Sequence, residues 1–382
     1  YAGAGLVLAV GLLGSALAPN MPVLVGWRFV QGLGGGAVAA LSYGLVAATF
    51  PVELRGRVLS TISTIWGVAT VGGPGYGALF AGPGLWRAAF WSLAPLALIF
   101  VALAWRTIGG EPAAGPRARM PYWRLILLAL SVLLLSMTSV AGSHWLQALL
   151  VAAAIASATA AFIRDAKAER PIFPRRVTAI GTELGALFWI FFCVSIMISF
   201  VNTYTTFFLQ VLHGVAPLTA GYLFAIQSFM WTAGALMVAS RPASQTVSLV
   251  TIGLGMMLVA AIGLFITVVS GPVAAIAAAI ALAGTGIGFL NNPAIQKIIV
   301  VAREEEKQLA ANSVQTVRNI GMSFGAAGAG TVAASAGLQD GAAPAVVAHA
   351  MQWVYGVNVV VAIVALAIAL AVLRGRSGEE IG

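Results

Sequence analysis

Arg28 and Gln31 stand in the stretch GWRFVQGLGGGAVAALSYGL, residues 26–45, which is otherwise apolar or small apart from Ser42 and Tyr43. A guanidinium keeps its charge at physiological pH, and an unpaired charge at the centre of a bilayer costs about 3 to more than 10 kcal/mol. Such a group is expected to face protein or a water-filled cavity. On a helix turning about 100° per residue, Arg28, Gln31, Gly35 and Ser42 fall within about 60° of one another, a polar and small stripe that reads as a cavity wall. The competing reading is that Arg28 snorkels to the headgroups.

Two further stretches carry polarity where an apolar run leads one to expect none. In VNTYTTFFLQ, residues 201–210, the side chains of Asn202, Thr203, Tyr204, Thr206 and Gln210 either line a substrate cavity or cap the outer helix end against the headgroups. Asn291 and Asn292 precede Pro293, and a proline-broken helix with exposed carbonyls is a candidate binding element. Arg318 and Asn319 read as close to the inner boundary of their run, either structural or gating.

All 11 Asp and Glu residues lie in loops or at the ends of apolar runs, Glu183 being the nearest to a run's interior. No carboxylate is therefore expected mid-membrane. No His, Cys and acidic residues share metal-ligand spacing, no Ser-His-Asp or Cys-His set converges, and no Walker-type phosphate loop is present. These patterns speak against an enzyme and against ATP-driven export, and imply no cofactor and no metal. The single Cys193 lies inside a run, and His144, His213 and His349 fall on the predicted outer side. An external pH sensor and plain interfacial polarity are the two readings of those histidines.

The elements that position these residues follow from composition. Hydrophobic residues make up 60% of the 382 positions and charged residues only 8%, against about a quarter charged in soluble domains. About twelve apolar runs recur, near 1–18, 22–49, 58–81, 88–105, 123–141, 144–163, 184–211, 218–239, 247–269, 272–299, 313–335 and 348–373. Each approaches or exceeds the roughly 20 residues that cross the hydrocarbon core as a helix. A backbone in lipid must satisfy its own hydrogen bonds, and the runs are too uniformly apolar for barrel strands. The expected fold is an all-α polytopic membrane protein with about twelve visible transmembrane helices, and the lipid bilayer is its first partner.

The net charge of +9 sorts by loop parity. Arg55 and Arg57; Arg106, Arg117, Arg119 and Arg124; Arg164, Lys167, Arg170, Arg175 and Arg176; Arg241; Lys297, Arg303 and Lys307; and Arg374 and Arg376 occupy every second connection, while the alternate ones carry only Arg87. The positive-inside rule places the basic side and the C-terminus in the cytoplasm, so the charge reports orientation and no nucleic-acid partner. The chain opens on Tyr1 inside an apolar run with no basic segment before it, which speaks against a signal peptide and for residues missing upstream.

Sliding the chain against itself by about 252 positions lays Gly32, Gly34 and Gly36 over Gly284, Gly286 and Gly288, Glu53 over Glu305, Arg55 over Lys307 and Gly73 over Gly325. This is a parallel repeat of bundles, as in many transporters. Helices in lipid associate at small residues, so Gly32 and Gly36 read as a GxxxG packing ridge.

The segment Arg28-Phe-Val-Gln31-Gly32-x-Gly34 resembles the fourth-span signature of the major facilitator superfamily. GVATVGGPGYGALFAG, residues 67–82, resembles the antiporter motif of that superfamily's fifth span: Gly73, Pro74 and Gly77 match, whereas Ala69 and Ala78 stand where glycine is usual. LWRAAF at 85–90, VNTYTTFFLQVLHGVAPLTAGYL at 201–223 and RNIGMSFGAAGAG at 318–330 resemble the fourteen-span drug:proton antiporter branch, and the likeness runs over nearly the whole chain. The resemblance implies a two-bundle transporter, a part for Arg28 in proton coupling, a leak-sealing part for Gly73, Pro74 and Gly77, and the absence of the first two spans. The coupling acid is then expected in the missing first span, or else the cargo is neutral or anionic and drawn by Arg28.

Under that alignment residues 1–105 are the remainder of the N-terminal bundle, and 106–183 are cytoplasmic linkers and two extra spans. Residues 184–382 are the C-terminal six-helix bundle and a short tail. RTIGGEPAAGPRARMPYWR and RDAKAERPIFPRR read as solvated linkers. The function expected is secondary-active export of small lipophilic or drug-like compounds against inward protons, by rocking of two bundles about a central cavity in the plasma membrane. No obligate protein partner is expected; the alternative is a transport-inactive scaffold or sensor on the same fold.

Overall fold

A computed structural model describes residues 1–49, 51–80, 82, 84–108, 121–138, 141, 143–339 and 341–374. The linker segment 109–120, with Arg117 and Arg119, lies outside them. Among the described residues the chain forms twelve α-helices, each within a few residues of an apolar run. Seven are long and apolar enough to cross a membrane. The chain divides into two compact units, Tyr1–Ala118 and Arg119–Gly382.

The first unit holds α1 (Ala2–Leu17), α2 (Met21–Thr49), α3 (Val52–Leu79) and α4 (Trp86–Ile108). Helix α1 packs on both α2 and α4, and glycine makes those approaches possible. A Cβ on Gly11 would lie 2.4 Å from the Gln31 nitrogen, one on Gly34 2.2 Å from the Leu8 nitrogen, and one on Gly14 2.0 Å from the Trp27 ring. The expected ridge is thus displaced: Gly34 carries the contact, whereas Gly32 and Gly36 face open space among the described residues. Arg87, the lone cation of the alternate loops, donates to the Ala18 carbonyl at 2.9 Å and closes the end of α1, where carbonyls lack helical partners and a cation is favoured.

The second unit holds α5 (Tyr122–Met137), α6 (His144–Ala166), α7 (Glu183–Val211), α8 (Pro217–Val238), α9 (Thr246–Thr267), α10 (Val273–Val301), α11 (Lys307–Ser335) and α12 (Pro344–Ile368). Ser143 and Thr182 cap α6 and α7 by accepting from the Leu146 and Gly185 amides, and prolines open α8 and α12, where a missing N–H costs nothing. Helix α7 runs through the middle against α11 and α12. Its first half, from Leu184 to Ile198, feeds one apolar core, and its second half, with Phe200, Phe208 and Leu209, feeds another.

Helix α10 lies between α8 and α9, and alternate glycines explain how. Residues two apart on a helix point to nearly opposite sides. A Cβ on Gly284 would meet the Gln227 carbonyl of α8 at 2.2 Å, one on Gly286 the Gly253 carbonyl of α9 at 2.6 Å, and one on Gly288 the Trp231 carbonyl of α8 at 2.3 Å. Helices α2 and α10 are both 29 residues long, and their ends are displaced by 252 positions, the offset of the internal repeat.

Two expectations are corrected here. Pro293 does not break its helix: α10 continues from Val273 to Val301 with the proline buried inside it. The segment RDAKAERPIFPRR is not simply solvated. Asp165, 2% exposed, accepts from the Ile172 and Phe173 amides at 2.8 and 3.0 Å, Phe173 is buried, and Ser313 of α11 donates to the Ile172 carbonyl at 2.9 Å. The carboxylate gathers backbone donors that the following turn leaves without partners.

Candidate functional site

Arg28 is the eighth residue of α2. Helix α1 holds α2 at this level, because Gly11 admits the Gln31 backbone. Arg28 Nη1 donates to Gln31 Oε1 at 2.8 Å, one turn deeper into the helix, and its guanidinium carbon lies 5.6 Å from the centre of the Phe90 ring. Arg28 is exposed and Gln31 half-buried, and Arg28 forms no ion pair among the described residues. Farther along α2, Ser42 meets the Tyr1 hydroxyl at 2.5 Å.

Gly73, Pro74 and Gly77 lie on α3, which continues through the proline. The positions where Cβ atoms of Gly72, Gly73 and Gly77 would stand are open among the described residues. Tyr76 donates to the Ala89 carbonyl at 3.2 Å and meets Ser92 Oγ at 2.5 Å on α4.

The five polar residues of α7 separate. Thr203 and Tyr204 line a cavity of about 560 Å³ together with Phe207, Val211 and the connection from α11 to α12. Asn202 and Gln210 are exposed and outside that lining, and Gln210 folds back to donate to the Thr206 carbonyl at 2.9 Å. Thr205, not singled out in the sequence, is fully buried and sits 3.1 Å from the Tyr355 hydroxyl of α12.

Asn291 and Asn292 fall in a different group. Asn291 Nδ2 donates to Asn292 Oδ1 at 3.0 Å, and Arg318 Nη1 donates to Asn291 Oδ1 at 3.3 Å. The Arg318 guanidinium lies 5.2 Å from the Trp231 ring centre. Helix α11 starts at Lys307, which places Arg318 eleven residues, roughly 16 Å, along the axis. Gln308, Asn312, Gln315 and Asn319, spaced three and four apart and all exposed, carry the helical period that extends the element. Glu183, the acid nearest a span interior, is occupied 3.4 Å from Lys297.

The family description of the Major Facilitator Superfamily matches residues 1–326. The chain belongs to that superfamily. As a superfamily member it is 33% identical over 343 residues to a probable multidrug-efflux transporter of Mycobacterium tuberculosis, covering 85% of this chain and 72% of that protein. It is 25% identical to the methylenomycin A resistance protein of Streptomyces coelicolor, over 92% of this chain and 75% of that one. Its fold matches the crystal structure of an auto-inhibited POT family peptide transporter with a TM-score of 0.64 at 16% identity, covering 97% of this chain and 82% of that one. The chain is a multi-pass membrane transporter of the superfamily, and its all-helical architecture is that of solved transporters.

Proposed function

We propose that the chain is a secondary-active exporter of small lipophilic or drug-like compounds, driven by inward protons and working by alternating access. The observation that carries this reading is Arg28, bonded to Gln31 on helix α2 and without an acidic partner among the described residues. A guanidinium does not release its proton, so its part is electrostatic: it disfavours protonation of a nearby acid and attracts an anion. The efflux and resistance names of relatives at 33% and 25% identity support the direction and cargo. The antiporter-like Gly73, Pro74 and Gly77 support proton exchange, and the resemblances at 85–90, 201–223 and 318–330 support the fourteen-span branch.

Thr203 and Tyr204, with Asn202, Thr206 and Gln210 on the same helix, and Asn291 and Asn292 are the proposed substrate contacts. The loop parity of Lys and Arg supports a cytoplasmic C-terminus in a plasma membrane. Expression in a drug-sensitive bacterial host tests the reading. Dye accumulation is expected to fall, and to recover when an uncoupler collapses the proton gradient. Accumulation equal to that of the empty host overturns it in favour of a scaffold or sensor.

A further inference from the structure

We propose that Arg318, Asn291, Asn292 and Trp231 form a recognition site for the carboxylate of a lipophilic anion, which rests on the export reading for its lipophilic cargo. The group joins three helices: Trp231 from α8, the asparagines from α10 and Arg318 from α11. Arg318 is half-buried in the body of α11, and none of the ion pairs among the described residues includes it. One neutral contact of 3.3 Å to Asn291 leaves most of its five N–H donors unused.

The direction of the hydrogen bonds decides the class of ligand. Arg318 gives to Asn291, and Asn291 gives to Asn292, so each asparagine's oxygen accepts a bond within the chain. What the chain presents at its end is the Asn292 amide nitrogen, on an exposed residue, together with the remaining guanidinium donors. The free capacity of the face is weighted to donors, which suits an acceptor with negative charge, and a carboxylate matches the planar guanidinium fork. Among the described residues no carboxylate pairs with this group, and Glu183 is held by Lys297.

The half-buried Trp231 ring supplies the apolar surface. An exposed row of amides on α11 is unsuited to acyl chains and suits a face that meets water and a polar solute.

Binding to the purified chain in lipid nanodiscs tests the site independently of export, with radiolabelled 4-phenylbutyrate competed by unlabelled 4-phenylbutyrate or its neutral amide. The carboxylate is expected to bind about tenfold to a hundredfold tighter than the amide, the range of a charge-assisted contact. Arg318→Gln is expected to abolish that preference and Arg318→Lys to retain part of it. Should Arg318→Gln fail to fold, Asn292→Asp reports instead, since its added carboxylate is expected to repel the ligand. Equal binding of acid and amide to the native chain, or a preference that survives both Arg318→Gln and Asn292→Asp, overturns the site. Carboxylate binding without export supports the site and counts against the export reading alone.

Discussion

Arg124, in the first turn of α5, and Asp165, near the end of α6, meet at 2.5 Å and close the open end of that helical hairpin. The carboxylate is nearly fully buried and also accepts the Ile172 and Phe173 amides. Removing one member of a buried pair strands the other, so Asp165→Ala is expected to destabilise the chain by about 3 kcal/mol. Thermal unfolding in detergent reads the loss, and proteolysis between Lys167 and Arg176 is expected to quicken. An unchanged midpoint contradicts this.

Gly284 and Gly32 occupy matching places in the repeat but unlike surroundings. A methyl group on Gly284 has the Gln227 carbonyl 2.2 Å away, and backbone cannot step aside as a side chain can. Gly284→Ala is expected to cost about 1–3 kcal/mol by overpacking, and Gly32→Ala to stay within about 0.5 kcal/mol of the native chain. Melting curves of the two variants distinguish them. Equal behaviour contradicts the assigned packing.

Gln227 and Asn358 are 5% and 1% exposed and line a cavity of about 10 Å³ otherwise walled by apolar side chains. Neither Oε1 of Gln227 nor Oδ1 of Asn358 has a hydrogen-bond partner among the described residues. A buried acceptor left unpaired costs about 1–3 kcal/mol, and an apolar group of similar shape removes that cost. Asn358→Leu is expected to raise the unfolding midpoint. A lower midpoint contradicts it and assigns the amide a structural bond.

The twelve helices were legible because the bilayer enforces a simple rule: apolar runs of sufficient length become helices, and their limits in the structure differ from the runs by a few residues in most cases. Helix α11 was read short because Lys307, Gln308 and Asn312 lower the hydrophobicity of its first turns, although the spacing of Gln308 and Asn312 preserves the helical period. Burial of Asp165 was invisible for a different reason. Its partners are backbone amides of a turn, and composition counts that turn as polar linker. Pro293 illustrates a third limit, since local breaking tendency is overridden where α8 and α9 hold α10 on both sides. Arg28 and Gln31 were legible as a pair by their three-residue spacing, whereas Arg318 and Trp231 lie 87 positions apart and only the fold unites them.

Efflux by Arg28→Ala, compared with the native chain at equal membrane abundance in the same drug-sensitive host, tests the central claim most directly. Loss of that fixed charge is expected to reduce export at least about tenfold, with Arg28→Lys retaining part because it keeps the charge but not the guanidinium fork. Export by Arg28→Ala at the native rate contradicts the account.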